Sequence, residues 1–396
     1  MGLTFQRQMR CLLLLTSISK MYIYNPILVV FLISNVGLNY FQVGMVTACF
    51  YIIGIFAQFP CGMLVDKKGP KKVIISGFFL QAVGILLLVN SASIVNAVIG
   101  VSVLSSGTTS IVTADRVFFY ALHDKYDQVS SYNKNFSTYF SCRLIGGTVA
   151  SILCTLLFMQ NIEYAFYSTI FLNVIAVMAG FYLENILPAN MTDKSFCKLL
   201  KYSYLEISRN TMLKSLIKYN LAIVTVYLIL YMQIQQYLFY INFDISYSGI
   251  IYAVLGILSP ALAKITSRVK LLKVYRVVPV LTILSLVLMA TIRHPISVIF
   301  LLLYWSIYGI VSPKVDSEID ASIKGDETSR GSIISYVIIF QNMIIAIMLI
   351  INGYIIENLN MGVLIMGYSV VYLLLSIGCT KLLSKLFKQV EGSLVP

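Results

Sequence analysis

Apolar residues run along this chain in twelve stretches, each about the 20 residues that a helix needs to cross a lipid bilayer. They lie near residues 11–33, 42–64, 73–90, 94–117, 136–158, 163–184, 217–240, 247–267, 275–292, 295–316, 332–353 and 361–383, separated mostly by short polar segments. The pattern predicts an all-α polytopic membrane protein: an N-terminal six-helix bundle over 1–184, a cytoplasmic linker between bundles over 185–216, and a C-terminal six-helix bundle over 217–390. The first stretch has no small-residue cleavage site and is too long for a signal-peptide core, so it is expected to be retained. Residues 391–396, with their Gly392-Ser393-Leu394-Val395-Pro396 ending, read as the start of an engineered protease-site linker. In the middle segment, Leu199, Leu200, Tyr204 and Ile207 recur at helical spacing beside well-spaced lysines and arginines. That suits either an amphipathic helix on the inner membrane surface or a plain tether.

Composition supports the membrane reading. Of 396 residues, 59% are hydrophobic and 11% charged, against about 45–50% and about 25% in an ordinary soluble domain. The 22 Phe and 27 Tyr also exclude disorder. A net charge of +13 would suit a nucleic-acid binder, but the distribution of charge argues otherwise. With both termini cytoplasmic, all but four of the 29 Lys and Arg fall on the inner side. The exceptions are Arg293 outside, and Lys20, Arg116 and Arg143 within spans. This is the positive-inside asymmetry, so basicity sets topology and no nucleic-acid partner is expected. Seven scattered cysteines and two histidines, His123 and His294, show no metal-ligand spacing, so neither a metal nor a disulfide framework is expected. No Gly-rich phosphate loop and no Ser/His/Asp grouping occurs either, so no cofactor, ATP-driven step or enzymatic role is expected.

A faint repeat at an offset of about 200 residues relates Pro60 to Pro260 and Asp115 to Asp316, as in transporters built from two parallel halves. The loop after the second span reads Gly62-Met63-Leu64-Val65-Asp66-Lys67-Lys68-Gly69-Pro70-Lys71-Lys72. It resembles the G-x-L-x-D-[RK]-x-G-[RK]-[RK] signature of the major facilitator superfamily, in position, sidedness and residue type. The resemblance implies a fold of twelve transmembrane helices in two pseudo-symmetric six-helix bundles. It also implies a conformational switch built from Gly62, Asp66, Gly69, Lys71 and Lys72, with Asp115 as the carboxylate partner of Lys71 or Lys72 and with Arg143 alongside. Gly62 would permit close helix packing and Asp66 would face a helix N-terminus. The loop after the eighth span keeps its basic charge but has Thr266 where the Asp would fall. The fourth span has Val103 where proton-coupled members place an Arg ahead of Gly107, and the fifth lacks the proline–glycine pattern of drug antiporters.

Charges inside spans cost about 2.5–3.5 kcal/mol each on insertion scales. Lys20 lies about 15 Å along the helix from Arg10, near the midplane, and every carboxylate falls nearer a span end. A cavity holding Lys20 would be electropositive and favour an anionic, zwitterionic or neutral polar cargo. Alternatively, Lys20 snorkels or pairs with an acid folded close to it. Desolvation disfavours a buried ammonium, so Lys20 is also a candidate carrier of a coupling proton, with Asp115 and Asp316 as second choices. In the resembled family the first, fourth, seventh and tenth helices line the cavity. Here they offer Lys20, Tyr24 and Asn25; Thr109; Tyr227, Tyr231 and Gln235; and Tyr304, Tyr308 and Ser312, beside the sole tryptophan, Trp305. Tyrosines suit amphipathic cargo, having a flat apolar body and a polar tip.

The leading expectation is a proton-coupled secondary transporter that exports an amphipathic organic compound (drug-like, peptide-like or anionic) by alternating access. Uptake or facilitated movement of a polar metabolite or organic anion is the alternative. The partners expected are a small-molecule substrate, a proton or other coupling ion and the lipid bilayer. The chain is expected to act as a monomer. Its Ile, Lys, Asn and Tyr richness fits a low-GC bacterial gene, hence a bacterial cytoplasmic membrane.

Overall fold

A computed structural model describes residues 2–128, 131–186, 196–266, 271–323 and 327–392. Much of the expected linker and of the 391–396 tail falls on residues 187–195 and 393–396, outside the described residues, as does part of the loop near Thr266. The regular elements among the described residues are helices: α1 Gly2–Ile18, α2 Leu28–Ser34, α3 Tyr40–Lys68, α4 Pro70–Val89, α5 Ile94–Lys125, α6 Tyr132–Phe158, α7 Ile162–Gly180, α8 Phe196–Arg209, α9 Thr211–Tyr219, α10 Thr225–Met232, α11 Ile234–Tyr240, α12 Ser248–Thr266, α13 Leu271–Thr291, α14 Val298–Ser322, α15 Glu327–Asn358 and α16 Met361–Gly392. Among the described residues ten segments are long and apolar enough to span a bilayer, and the shorter apolar helices Asn25–Ser34 and Val277–Thr291 lie in the first and ninth crossings. The chain is therefore an all-α polytopic membrane protein with twelve crossings.

It divides into two compact units, Met1–Asp193 with Ser246–Gly256, and Lys194–Ile245 with Ile257–Pro396. In the first unit α3 starts with a capping box, in which Asn39 Oδ1 accepts from Gln42 N at 2.9 Å while Asn39 N donates to Gln42 Oε1 at 3.1 Å. Gly69 ends α3 and leads into α4 at φ +82°, backbone that favours glycine. Between α4 and α5 two glycines on each helix, seven residues apart, let the backbones touch. A Cβ on Gly84 would lie 2.4 Å from Leu104 N, and one on Gly107 would lie 2.6 Å from Gly77 O. Lipid supplies no hydrophobic drive between helices, so such close contact is what holds them.

The first crossing is broken. Residues 19–24 are non-helical, and Asn25–Ile27 is a short 3-10 turn with Pro26 in it. Pro26 disfavours α geometry at Asn25 and offers no N–H to the turn before it. One freed donor, Ile23 N, reaches Thr169 Oγ1 at 3.2 Å. Gly146 makes room for the end of α1, since a Cβ there would be 2.3 Å from Ser17 O. In the second unit the seventh crossing is irregular as well: a π-helical segment, Asn220–Val224, joins α9 to α10. The expected amphipathic stretch of the linker forms α8, which buries Ser203 and Ile207, exposes Tyr204 and Leu205, and packs against α9 and α15.

Candidate functional site

In the first unit, polar chemistry gathers on Asp115. Its fourth-span position was expected at the inner end, but α5 runs on for about ten residues to Lys125, so Asp115 sits roughly 15 Å from that end. The reason is the apolar Val117-Phe118-Phe119-Tyr120-Ala121-Leu122 run, which carries the helix past the charges; Phe118, Phe119 and Leu122 are buried. Tyr139 donates to Asp115 Oδ2 at 2.5 Å, and Arg143 Nη1 donates to the same oxygen at 2.9 Å and to Tyr139 Oη at 2.9 Å. Both members of the ion pair are largely shielded from solvent, with side chains 3% and 11% exposed. Asp115 Oδ1 and Thr16 Oγ1 are buried without a hydrogen-bond partner among the described residues, and both residues are packed among Leu12, Leu15, Ile74, Phe78 and Ile111 with no space for a water molecule between them.

Lys20 lies in the break that follows α1, at the negative end of that helix's dipole, where a cation is favoured. No carboxylate among the described residues is within ion-pair distance of it, and its backbone carbonyl lies 3.8 Å from where a Cβ on Gly147 would stand, one turn along α6 from the Arg143 that pairs with Asp115. The expectation that every carboxylate lies far from its depth is therefore corrected: Asp115 belongs to its neighbourhood. Arg143 neutralises Asp115, so Lys20 leaves the cluster net positive. Close by, Tyr22 Oη and Thr108 Oγ1 accept from the buried Gln81 Nε2 at 2.9 and 3.0 Å. Tyr24 is buried and stacks on Phe166, with centroids 4.9 Å apart and planes at 18°, so its ring serves the core of this unit. Asn25 is half-buried in the 3-10 turn, and Thr109 is half-buried beside Gly54.

The loop motif makes contacts other than those expected of it. Lys71 Nζ donates to Phe181 O at 2.8 Å, beyond the end of α7, where carbonyls without helical partners attract a cation. Asp115 is taken by Arg143 instead. Lys72 is exposed, Asp66 is half-buried, and a Cβ on Gly62 would meet nothing within 4 Å among the described residues. The same end of α7 is held by Gln8, whose Nε2 donates to Tyr182 O and whose Oε1 accepts from Glu184 N. Glu184 also accepts from Lys125 Nζ at 2.5 Å and Tyr126 Oη at 2.9 Å. The Lys125 ammonium, helped by Tyr126, holds the Glu184 carboxyl below its ordinary value. A depressed carboxylate stabilises the fold above its unfolded value, about 4.3, and loses that contribution as pH falls through the folded one. Glu184→Gln should therefore lower the melting temperature slightly at neutral pH, by under about 1 kcal/mol because the pair is partly exposed, and the gap should close on acidification below about pH 4. A gap that widened in acid would contradict this pairing.

The second unit brings together most of the predicted residues of the seventh and tenth crossings. Tyr227 is fully buried, shares hydrogen bonds with Thr282 Oγ1 at 2.6 Å and Tyr372 Oη at 3.1 Å, and lies 4.7 Å from the ring of Tyr304. Tyr304, also buried, donates to Val226 O at 3.3 Å. Tyr231, Trp305 and Tyr308 form a stack in which both neighbouring pairs have centroids 4.4 Å apart and planes at 25°. Gln235 is buried on α11, farther along the same crossing. Ser312 Oγ donates to Asp316 Oδ2 at 3.2 Å, Asn220 Nδ2 donates to Asp316 Oδ1 at 3.1 Å, and Gln341 Nε2 donates to Asn220 Oδ1 at 2.5 Å. The π segment begins at Asn220, and such segments frequently mark functional positions. Asn220, Gln341, Tyr139 and the Tyr22–Gln81–Thr108 group were not singled out in the sequence. Their signal was a polar side chain inside an apolar span, which is costly enough to need a purpose.

A sequence model described as Major Facilitator Superfamily matches residues 11–317. The chain belongs to the major facilitator superfamily. Among its relatives, an uncharacterized transporter of Buchnera aphidicola subsp. Schizaphis graminum is 35% identical over 77 residues, which is 19% of this chain and 20% of that protein. An uncharacterized transporter of Buchnera aphidicola subsp. Acyrthosiphon pisum is 24% identical over 193 residues, 48% of this chain and 49% of the relative. The matched stretches thus span about half or less of either relative. Solved structures of the same fold include nucleoside transporter NupG, at 15% identity and TM-score 0.72 over 96% of this chain and 98% of that one. A POT family transporter in complex with 5-aminolevulinic acid gives 11% identity and TM-score 0.75 over 96% of both chains. Superfamily membership makes this chain a membrane transport protein rather than an enzyme.

Proposed function

We propose that this superfamily member is a proton-coupled secondary transporter that exports an amphipathic organic compound bearing a negative group, anionic or zwitterionic, by alternating access. The observation that carries the charge of the cargo is Lys20 in the helix break, packed beside Gly147 one turn along α6 from Arg143, whose pairing with Asp115 leaves the Lys20 ammonium as excess positive charge. A net-positive cluster in a low-dielectric setting attracts an anion strongly and repels a lipophilic cation. In the second unit the aromatic residues Tyr231, Trp305 and Tyr308 suit the apolar part of the cargo, with Ser312 and Gln235 as polar contacts and Tyr227 and Tyr304 supporting from its core; in the first unit Thr109 and Asn25 are the candidate polar contacts, and Tyr24 supports from its core.

Proton coupling is assigned to Lys20 and Asp115, with Asp316 as the corresponding carboxylate of the second unit. Asp115 offers Oδ1 as an open acceptor while Oδ2 is held by Arg143 and Tyr139. The loop residues Gly62, Asp66, Gly69, Lys71 and Lys72, with Asp115 and Arg143, act as the switch: contacts such as Lys71 to Phe181 O hold in one state and part in the other. The working form is a monomer in a bacterial cytoplasmic membrane, both termini inside; the bacterial relatives support the membrane and the basic inner loops support the orientation. One observation favours uptake instead, because a bound anion stabilises a charged Lys20, so cargo and proton would travel together.

The test is ligand stabilisation of the purified protein, followed by flux in proteoliposomes under an imposed pH gradient. Anionic and zwitterionic compounds should raise the melting temperature, and Lys20→Ala should weaken them by about tenfold or more, as expected for a charge-assisted contact. Accumulation should follow the sign of the gradient and stop with a protonophore. Stabilisation by lipophilic cations in both proteins, or flux indifferent to the gradient, would overturn the proposal.

A further inference from the structure

We propose that the Tyr231–Trp305–Tyr308 stack binds the flat ring of an aromatic or heteroaromatic cargo, so that the transporter selects planar compounds over saturated ones of equal charge. This inference rests on the transporter reading and narrows its substrate class.

Two sets of rings meet in the second unit, and they differ in burial. Tyr227, Tyr304 and Tyr372 are enclosed at 0–1% exposure. Their hydroxyls are tied to Thr282, Val226 O or each other. Tyr231, Trp305 and Tyr308 stack at 4.4 Å and remain only half-buried. A cluster built for packing alone would be enclosed as a whole. Here a closed inner set fixes an outer set whose π surface stays partly accessible, and Tyr227 reaches Tyr308 at 5.8 Å across the boundary.

Helix geometry tells which way the outer set looks. Trp305, Tyr308, Ser312 and Asp316 fall at i, i+3, i+7 and i+11, one stripe of α14. Asp316 is exposed at the end of that stripe, whereas Ile299 and Leu303, exposed too, lie on the opposite side. A carboxylate facing hydrocarbon is expensive, and Asp316 is held by Asn220 of the seventh crossing, so the stripe with Trp305 faces away from the Ile299–Leu303 side that meets lipid. An aromatic belt serving only the membrane surface would sit on the lipid side.

Rings already held in a stack lose little freedom when another flat ring joins, and offset stacking rewards flatness through dispersion and quadrupole terms. Ser312 stands one turn from Tyr308, roughly 6 Å along the helix. The favoured cargo therefore carries a hydrogen-bonding substituent about one ring-width from its flat end.

The chain contains one tryptophan, so its intrinsic emission reports on this stack alone. In the purified full chain, 4-nitrobenzoate should quench Trp305 saturably and benzoate should displace it. Cyclohexanecarboxylate, equal in charge and similar in size but not flat, should displace it about tenfold less well. Tyr231→Leu should erase that preference, and Tyr308→Leu repeats the test should the first variant fold poorly. Quenching that rises linearly without saturating, equal displacement by both acids, or a preference surviving in both variants would overturn the inference. Uncharged benzamide and Lys20→Gln read the charge separately. If benzamide binds as tightly as benzoate, the anionic reading falls while the ring preference stands. If both acids bind equally and both need Lys20, the stack inference falls while the anionic transporter stands.

Discussion

Arg143→Ala should destabilise the first unit by about 3–5 kcal/mol, the cost of stranding a buried charge. The guanidinium makes two of the three hydrogen bonds in its cluster, to Asp115 Oδ2 and Tyr139 Oη. Without it, Asp115 keeps the Tyr139 hydroxyl and little else among the described residues, and water cannot replace the loss at 3% exposure. SDS-induced unfolding in mixed micelles would measure the change. The double variant Asp115→Leu with Arg143→Met separates charge from packing. Because replacing a buried pair by apolar groups is often neutral or better, it should regain most of the lost stability. Transport should not return with it, since Asp115 Oδ1 is the proposed proton acceptor. A loss under about 1 kcal/mol in the single variant, the range of a surface pair, would mean that the cluster is open to solvent in the working protein.

The crossings were legible because a bilayer demands about 20 apolar residues wherever a helix passes, and the loop motif from Gly62 to Lys72 led directly to the superfamily. The reach of α5 was not. Asp115 and Arg116 looked like the end of a span, but a charged pair need not end a helix when apolar residues follow and a partner such as Arg143 waits on α6. The start of the break in the first crossing was hidden for a related reason. Pro26 announces a bend, but the position from Ser19 onward depends on Gly146 admitting the end of α1, a contact more than a hundred residues away in sequence. Lys71 illustrates a third limit: a lysine at a helix start can serve any nearby carbonyl end, and only packing chose the end of α7 over Asp115. Among the candidate residues, sequence placed Tyr227, Tyr231, Tyr304 and Tyr308 on faces that do converge. It could not divide them into an enclosed set and a half-exposed one, because periodicity fixes direction from the helix axis and says nothing about depth.

One legible signal was passed over, the seven-residue spacing of Gly77 and Gly84 on α4 and of Gly100 and Gly107 on α5, and it carries the second large effect. A Cβ on Gly84 would stand 2.4 Å from Leu104 N, 2.7 Å from Leu104 Cα and 2.8 Å from Leu104 Cβ. Two of the three are backbone atoms of the facing helix, so no rotamer change relieves the clash. The helices must part by about 1 Å, which forfeits a quarter to a half of the dispersion energy along the seam. Gly84→Ala should therefore cost at least the 1–3 kcal/mol typical of overpacking, and Gly84→Leu should fail to yield folded protein. Gly367, on α16, has nothing within 4 Å of its would-be Cβ among the described residues. Gly367→Ala should accordingly shift stability by no more than about 1 kcal/mol, the difference in helix propensity. SDS unfolding of the two alanine variants side by side isolates the seam from propensity, because the chemical change is identical. Equal effects would refute close packing as the reason for the glycines. A large loss at Gly84 alone would make the α4–α5 contact a rigid spine, against which the break in the first crossing and the Asp115 cluster on α5 are held.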